Sequence, residues 1–273
     1  MKLNLLLFFN INLFIISVSS WRFFPHNSNK KLIKSIDNKK YISITPGGVA
    51  GFYTLGICSF IKKNYNLSNY HFIGASAGAW NSLLMSYNYD IDSILNNLFD
   101  THELDNITSI SNLQYKLREY LLNNYNSSDF DLNKLNICIS SLDRFMFVSN
   151  IANNFTNLEQ VLDCCIVSSH IPYITSDNLI KKYNNIVSFD GGLVKFPPSN
   201  IYSHIIIKPE MYNSDFFGNL LINILDYSEN TSTFIDLYEK GKMDALNDKE
   251  NLDIIFKTNY INKVNNTIDL FYI

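Results

Sequence analysis

The run Gly74-Ala75-Ser76-Ala77-Gly78 sets one hydroxyl among residues with almost no side chain. A serine gains reactivity when a strand turns sharply into a helix and leaves the residue exposed at the tip of the turn. Glycines on both sides serve that geometry, because a larger residue would collide where the helix folds back over the strand. The helix that follows aims its free N–H groups and positive dipole end at the place where an oxyanion would form. A second small-residue run, Pro46-Gly47-Gly48-Val49-Ala50-Gly51, offers consecutive backbone N–H groups to an anion. A nucleotide phosphate fits poorly there, since no Lys-Ser or Lys-Thr pair follows and Pro46 occupies the first glycine position of a dinucleotide fingerprint. An oxyanion hole fits better, with Gly47, Gly48 and their neighbour Val49 as donors. A third motif, Asp190-Gly191-Gly192, ends a β-branched and aromatic run. Asp-Gly often marks a plain turn, yet a carboxylate at the C-terminal end of a strand stands where α/β sites form.

These groups need a scaffold that brings them to one place, and the pattern of apolar residues supplies one. Tyr41 to Thr45 alternates and reads as a strand; Gly51 to Lys63 has helical spacing; Tyr70 to Ile73 reads as a second, buried strand; Ala77 to Tyr87 reads as a helix. This strand–helix–strand–helix order predicts an α/β fold, a three-layer αβα sandwich with a mostly parallel central sheet. Further helices are expected at Ile91–Phe99, Leu113–Leu122 and Leu158–Val167. Strands are expected at Leu135–Ser140 and Arg144–Ser149, joined through Leu142-Asp143, and at Ile186–Phe189 and Ile201–Lys208. Beyond Pro209 the pattern gives one or two amphipathic helices and a strand at Asp253–Lys257.

The chain of 273 residues is long enough for one sizeable domain, with 47% hydrophobic and 17% charged residues. A net charge of −3 provides no basic field for nucleic acid. The four cysteines, Cys58, Cys138, Cys164 and Cys165, lack metal-site spacing and read as buried thiols, so neither a metal nor another cofactor is expected. Residues 1–20 begin with Met1-Lys2, continue apolar and end in Ser19-Ser20. This pattern predicts a cleaved signal peptide or an N-terminal hydrophobic anchor, hence a secreted or membrane-associated protein. Residues 21–39 read as a polar linker, 40–210 as the main domain and 211–273 as a helical extension packed on it. Sequons such as Asn66-Leu67-Ser68 carry little weight in so asparagine-rich a chain.

The order of the motifs, glycine loop, serine turn one βα unit later and Asp-Gly-Gly far downstream, resembles the patatin-like phospholipases. Gly51 to Gly56, Phe72 to Ala79 and Cys165 to Pro172 also resemble segments of that family, and the likeness spans roughly residues 41–198. The resemblance implies a Ser76 nucleophile with Asp190 as its base, lipid acyl-ester substrates and no catalytic metal. It further implies motif roles for Gly51, Gly74, Gly78, Gly191 and Gly192, and a lipid or membrane surface as partner. Three features depart from the family: Pro46 stands where a third glycine is usual, Ala50 where Arg or Lys is frequent, and Leu193 to Pro198 lacks the Asn that is common before the proline. Proline brings no N–H. A Ser76–Asp190–His204 triad is the nearest rival, because those residues fall in the chain order of α/β-hydrolases. A catalytically silent lipid-binding protein is the second alternative.

Overall fold

The computed structural model describes residues 39–143, 146–176, 178–212 and 231–257. The expected leader and nearly all of the expected linker lie outside these residues. The fold is α/β, with a mostly parallel, mixed seven-stranded sheet and helices around it in three αβα layers. The strands are β1 (Lys40–Ile44), β2 (Tyr70–Ala75), β3 (Leu135–Asp143), β4 (Met146–Ala152), β5 (Lys181–Tyr183), β6 (Ile186–Phe189) and β7 (Ser203–Ile207). The helices are α1 (Gly51–Asn64), α2 (Ala77–Met85), α3 (Ile91–Asp100), α4 (Ile110–Asn124), α5 (Leu158–Ser168) and α6 (Thr231–Asn247), followed by a helical stretch at 249–257.

The hydrogen-bonded path runs β5-β6-β3-β2-β1-β7, with β4 also paired to β3. The ladders β7–β1, β1–β2 and β2–β3 are parallel, whereas β4, β6 and β5 add antiparallel pairs. The register sorts the side chains. Ile42 faces Phe72 and Ile205, and Ile44 faces Gly74 and Ile207, so these residues share one side of the sheet and enter the main core. On the other side Ile73, Ala75 and Cys138 form a smaller core, with Tyr41, Ile151, Phe196 and Ile201 against it. Strands buried on both faces read as continuous apolar runs rather than clean alternation, as β2 does.

One detail of pairing decides where the site forms. Strand β4 occupies one edge of β3 from Ile137 to Asp143. Both β2, at Phe72–Ala75, and β6, at Ser188–Phe189, must therefore use the opposite edge. Strand β2 runs parallel to β3 and β6 antiparallel, so their C-terminal ends approach each other along that shared edge. The residues that follow those ends are Ser76 and Asp190.

Two devices fix the helices. Lys62, on α1, donates through its ammonium to the carbonyls of Leu84 and Met85, at 3.4 and 3.0 Å, and to that of Tyr87. These carbonyls end α2, where the ladder leaves acceptors unsatisfied. Helices α1 and α6 cross on two glycines: a Cβ on Gly56 would stand 2.0 Å from the Tyr238 carbonyl oxygen, and one on Gly241 2.0 Å from that of Tyr53. The Tyr53 hydroxyl donates to Asp244 at 2.7 Å, and the hydroxyls of Ser59 and Tyr238 both donate to Asp92.

The structure corrects two boundaries. Asp253–Lys257 belongs to a helical stretch, not a strand; Leu252 and Phe256, four residues apart, are its buried pair, which is a helical period. Leu142 and Asp143 belong to β3 itself, paired with Phe147 and Met146, rather than to the connection. Strand β5, a Lys-Lys-Tyr edge segment, carries no apolar run and was not foreseen.

Candidate active site

Ser76 joins β2 to α2 with φ 54° and ψ −126°. Left-handed φ is rare for a residue with a side chain and costs about 1–3 kcal/mol. The surroundings enforce it through close contact. A Cβ on Gly74 would stand 2.0 Å from the Gly78 carbonyl oxygen, and one on Gly78 would stand 2.1 Å from that of Ile44 at the end of β1. Only glycine lets α2 fold back this tightly. The Ser76 N–H donates to the Ser168 hydroxyl at 2.9 Å, and Ser168 donates on to the Cys138 carbonyl at 2.7 Å. Helix α5 thereby pins the turn to β3.

The Ser76 side chain adjoins the Asp190 carboxylate closely enough for hydrogen bonding between them to act on the carboxylate's pKa. The two residues are 114 positions apart in sequence, and both are buried. Asp190 is held from two directions: its N–H donates to the His170 carbonyl at 2.8 Å, and its Oδ1 accepts from the Gly192 N–H at 2.7 Å. Burial raises its pKa from 3.8 to about 6, against the lowering effect of the bonds from Ser76 and Gly192. Gly191 packs its α-carbon against the Cys138 carbonyl, where a Cβ would stand at 2.1 Å.

The glycine loop adjoins both motifs. A Cβ on Gly192 would meet Pro46 Cγ at 2.6 Å, and one on Gly51 would meet Ala77 Cβ at 2.8 Å. Pro46 thus lies against the Asp-Gly-Gly turn, and the start of α1 lies against the start of α2. Gly48 has φ 54°, and Gly48–Ala50 forms a 3-10 turn leading into α1. Within that turn the Ala50 N–H bonds the Gly47 carbonyl, and the Gly51 N–H bonds those of Gly48 and Val49. The N–H groups of Gly48 and Val49 head the helix, the positions a helical ladder leaves without internal partners. Asn81 locks the two helix starts together, donating to the Gly51 carbonyl at 2.9 Å and the Thr54 hydroxyl at 2.8 Å.

His204 is elsewhere. It is the second residue of β7, its ring packs on Tyr70 and Phe256, and its Nε2 lies 3.0 Å from the Ile255 carbonyl. Tyr70 opens β2 and Ser76 follows its end, so His204 and Ser76 are at opposite ends of the sheet. His170 stacks its ring on Phe189, with centroids 6.0 Å apart, and burial lowers its pKa. No histidine completes a triad among the described residues.

Sequence reasoning missed Ser168 and Asn81, which position the turn and the loop. Asn81, a polar residue within an apolar helical stretch, carried a signal for this; Ser168 carried one only through the Cys165–Pro172 segment, which does not single it out. The four cysteines are buried free thiols, and burial pushes that of Cys138 up to about 12. Among the described residues no helix is long and apolar enough to cross a membrane. No protein-family model matches the chain, and no curated protein matches it.

Proposed function

We propose that the protein is a lipid acyl-ester hydrolase of patatin-like type that works through a Ser76–Asp190 dyad and an acyl-enzyme. The single observation that carries this reading is the adjacency of a strained, positive-φ serine and a buried carboxylate of raised pKa. An Asp of ordinary basicity is a poor proton acceptor near neutrality; burial brings Asp190 toward the range where general bases work.

In this mechanism Asp190 takes the hydroxyl proton as Ser76 Oγ attacks the ester carbonyl. The N–H groups at Gly47, Gly48 and Val49 receive the negative charge on the tetrahedral oxygen, with the N-terminus of α2 adding its positive end. Collapse expels the alcohol, which recovers the proton from Asp190 and leaves the acyl group on Ser76. Water then gives a proton to Asp190 and attacks the acyl carbonyl; the intermediate releases the fatty acid, and Ser76 is reprotonated. The distance between Ser76 and His204 supports the dyad over the triad.

The test is hydrolysis of a long-chain p-nitrophenyl ester together with labelling by a fluorophosphonate. Ser76→Ala is expected to lose both. Full retained turnover in that variant, or an unlabelled wild-type serine, refutes the proposal; the latter favours a lipid-binding protein without catalysis.

A further inference from the structure

Strands β4, β3, β6 and β5 continue past the site as an antiparallel ribbon. Ser140 is level with Phe189, the residue before Asp190, and β3 runs on to Asp143, which pairs with Met146. Those three further residues project the tip roughly 10 Å beyond the carboxylate, at about 3.3 Å per residue. The projecting part is apolar where it meets solvent. Met146 is 68% exposed, Ile186 53%, Phe147 48% and Leu142 45%, and Leu179 and Ile180, which lead into β5, are also exposed.

The exposure falls on both faces of the ribbon. Leu142 and Phe147 are directly paired and share one side, and Phe147 packs edge-on against Phe189. Met146 pairs with Asp143, one residue on from Leu142, and so lies on the other side. Ile186 joins it there, because it is two residues from Ser188, the partner of Ser141. A groove on a protein partner covers one face of such a ribbon; a medium that surrounds the tip covers both. Each face also carries a lysine: Lys181 pairs with Ser188, on the Met146 side, and Lys182 pairs with Val187, on the Leu142 side. Asp143 is the opposing charge, so the described ribbon tip is net basic in a chain of net charge −3.

We propose that this ribbon is a membrane-docking element, with its tip entering the interface of an anionic phospholipid bilayer and Lys181 and Lys182 meeting the headgroups. Interfacial elements bury their apolar surface about 5–10 Å deep. A tip reaching roughly 10 Å past Asp190 therefore seats the Ser76–Asp190 pair at the headgroup boundary, where acyl esters lie. The inference deepens the acyl-hydrolase reading and rests on it for its purpose, but binding itself requires no turnover.

The test uses full-length protein in a Ser76→Ala background, so that failure of the hydrolase reading and failure of docking are separate results. The native cysteines are buried, so a Met146→Cys substitution gives one accessible thiol for an environment-sensitive nitrobenzoxadiazole probe. Vesicles of phosphatidylcholine and phosphatidylserine, whose negative surface potential attracts basic residues, are expected to shift its emission to the blue. The same probe through Ile254→Cys, on the far end of the sheet, is expected to stay at its aqueous emission. A Lys181→Glu/Lys182→Glu pair is expected to raise the lipid needed for half-maximal response by at least about thirtyfold, at roughly 1 kcal/mol per lysine lost. A Met146 probe that keeps its aqueous emission overturns the proposal, even if the protein sediments with the vesicles, and leaves the ribbon to a protein partner. An equal response to neutral and anionic vesicles overturns the role given to the two lysines.

Discussion

Replacing Asp190 by asparagine separates the use of this carboxylate from its cost. In the unfolded chain an Asp titrates near its ordinary 3.8, and in the fold Asp190 titrates at about 6. Below pH 3.8 both states hold the proton, and the group does not oppose folding. Between the two values the folded state binds more protons than the unfolded one, so stability falls as pH rises; above about 6 the whole penalty is in force. A displacement of this size corresponds to roughly 3 kcal/mol. The substituted asparagine would be uncharged throughout, and its amide oxygen can still accept from the Gly192 N–H. The difference in melting temperature, Asp190→Asn minus wild type, is therefore expected to climb between pH 4 and pH 7. At about 2–4 °C per kcal/mol for a domain of this size, the climb amounts to roughly 6–12 °C. Calorimetry or circular dichroism across that pH range reads it directly. The variant is also expected to lose ester hydrolysis, and the wild-type kcat to fall about tenfold per pH unit well below pH 6. A melting difference that stays flat or declines with pH refutes the reasoning, because it means that the carboxylate is not held charged against its environment.

Other outcomes follow from the same geometry. Ser168→Ala removes the acceptor of the buried Ser76 N–H, which costs about 1–3 kcal/mol; kcat should drop with KM little changed, and thermal melting and steady-state kinetics check both. Gly78→Ala forces a methyl against the Ile44 carbonyl oxygen, 2.1 Å away. A loss of at least about 1–3 kcal/mol in denaturant unfolding is expected, together with loss of serine labelling. His204→Ala should leave kcat within about twofold while lowering stability by on the order of 1 kcal/mol through lost ring contacts; a hundredfold fall in kcat would restore the triad.

Local signals were strong where one face or one turn dictates the residue types. Strand β6 begins and ends where its apolar run does, and β2 and α2 follow from the buried run and the small residues around Ser76. The motifs themselves named Ser76, Asp190 and the glycine loop, because sharp turns tolerate few side chains. What sequence could not convey was partnership across the sheet. Nothing in Leu135–Asp143 tells that β2 and β6 share one of its edges, yet that sharing is what joins Ser76 to Asp190. Strand β5 escaped because two lysines suit an edge that protects against further pairing, and such an edge needs no apolar alternation. The last helical stretch was misread because Ile254, Ile255 and Phe256 form too short an apolar run to separate helix from strand without knowing that Leu252 and Phe256 are the buried pair.

The crossing of α1 and α6 on Gly56 and Gly241 makes a late helix a determinant of where the Gly47–Val49 N–H groups stand. Gly56 lies five residues along α1 from Gly51, roughly 7.5 Å at 1.5 Å per residue, and a helix transmits a sideways push along its axis with little bending. A methyl group at Gly241 would have to lever α1 away from α6, and the loop at Gly47–Val49 rides on the lifted end. On the proposed hydrolase reading, damage so caused would surface as slower acyl transfer with the acid–base titration of Asp190 intact, far from the residues assigned to the reaction.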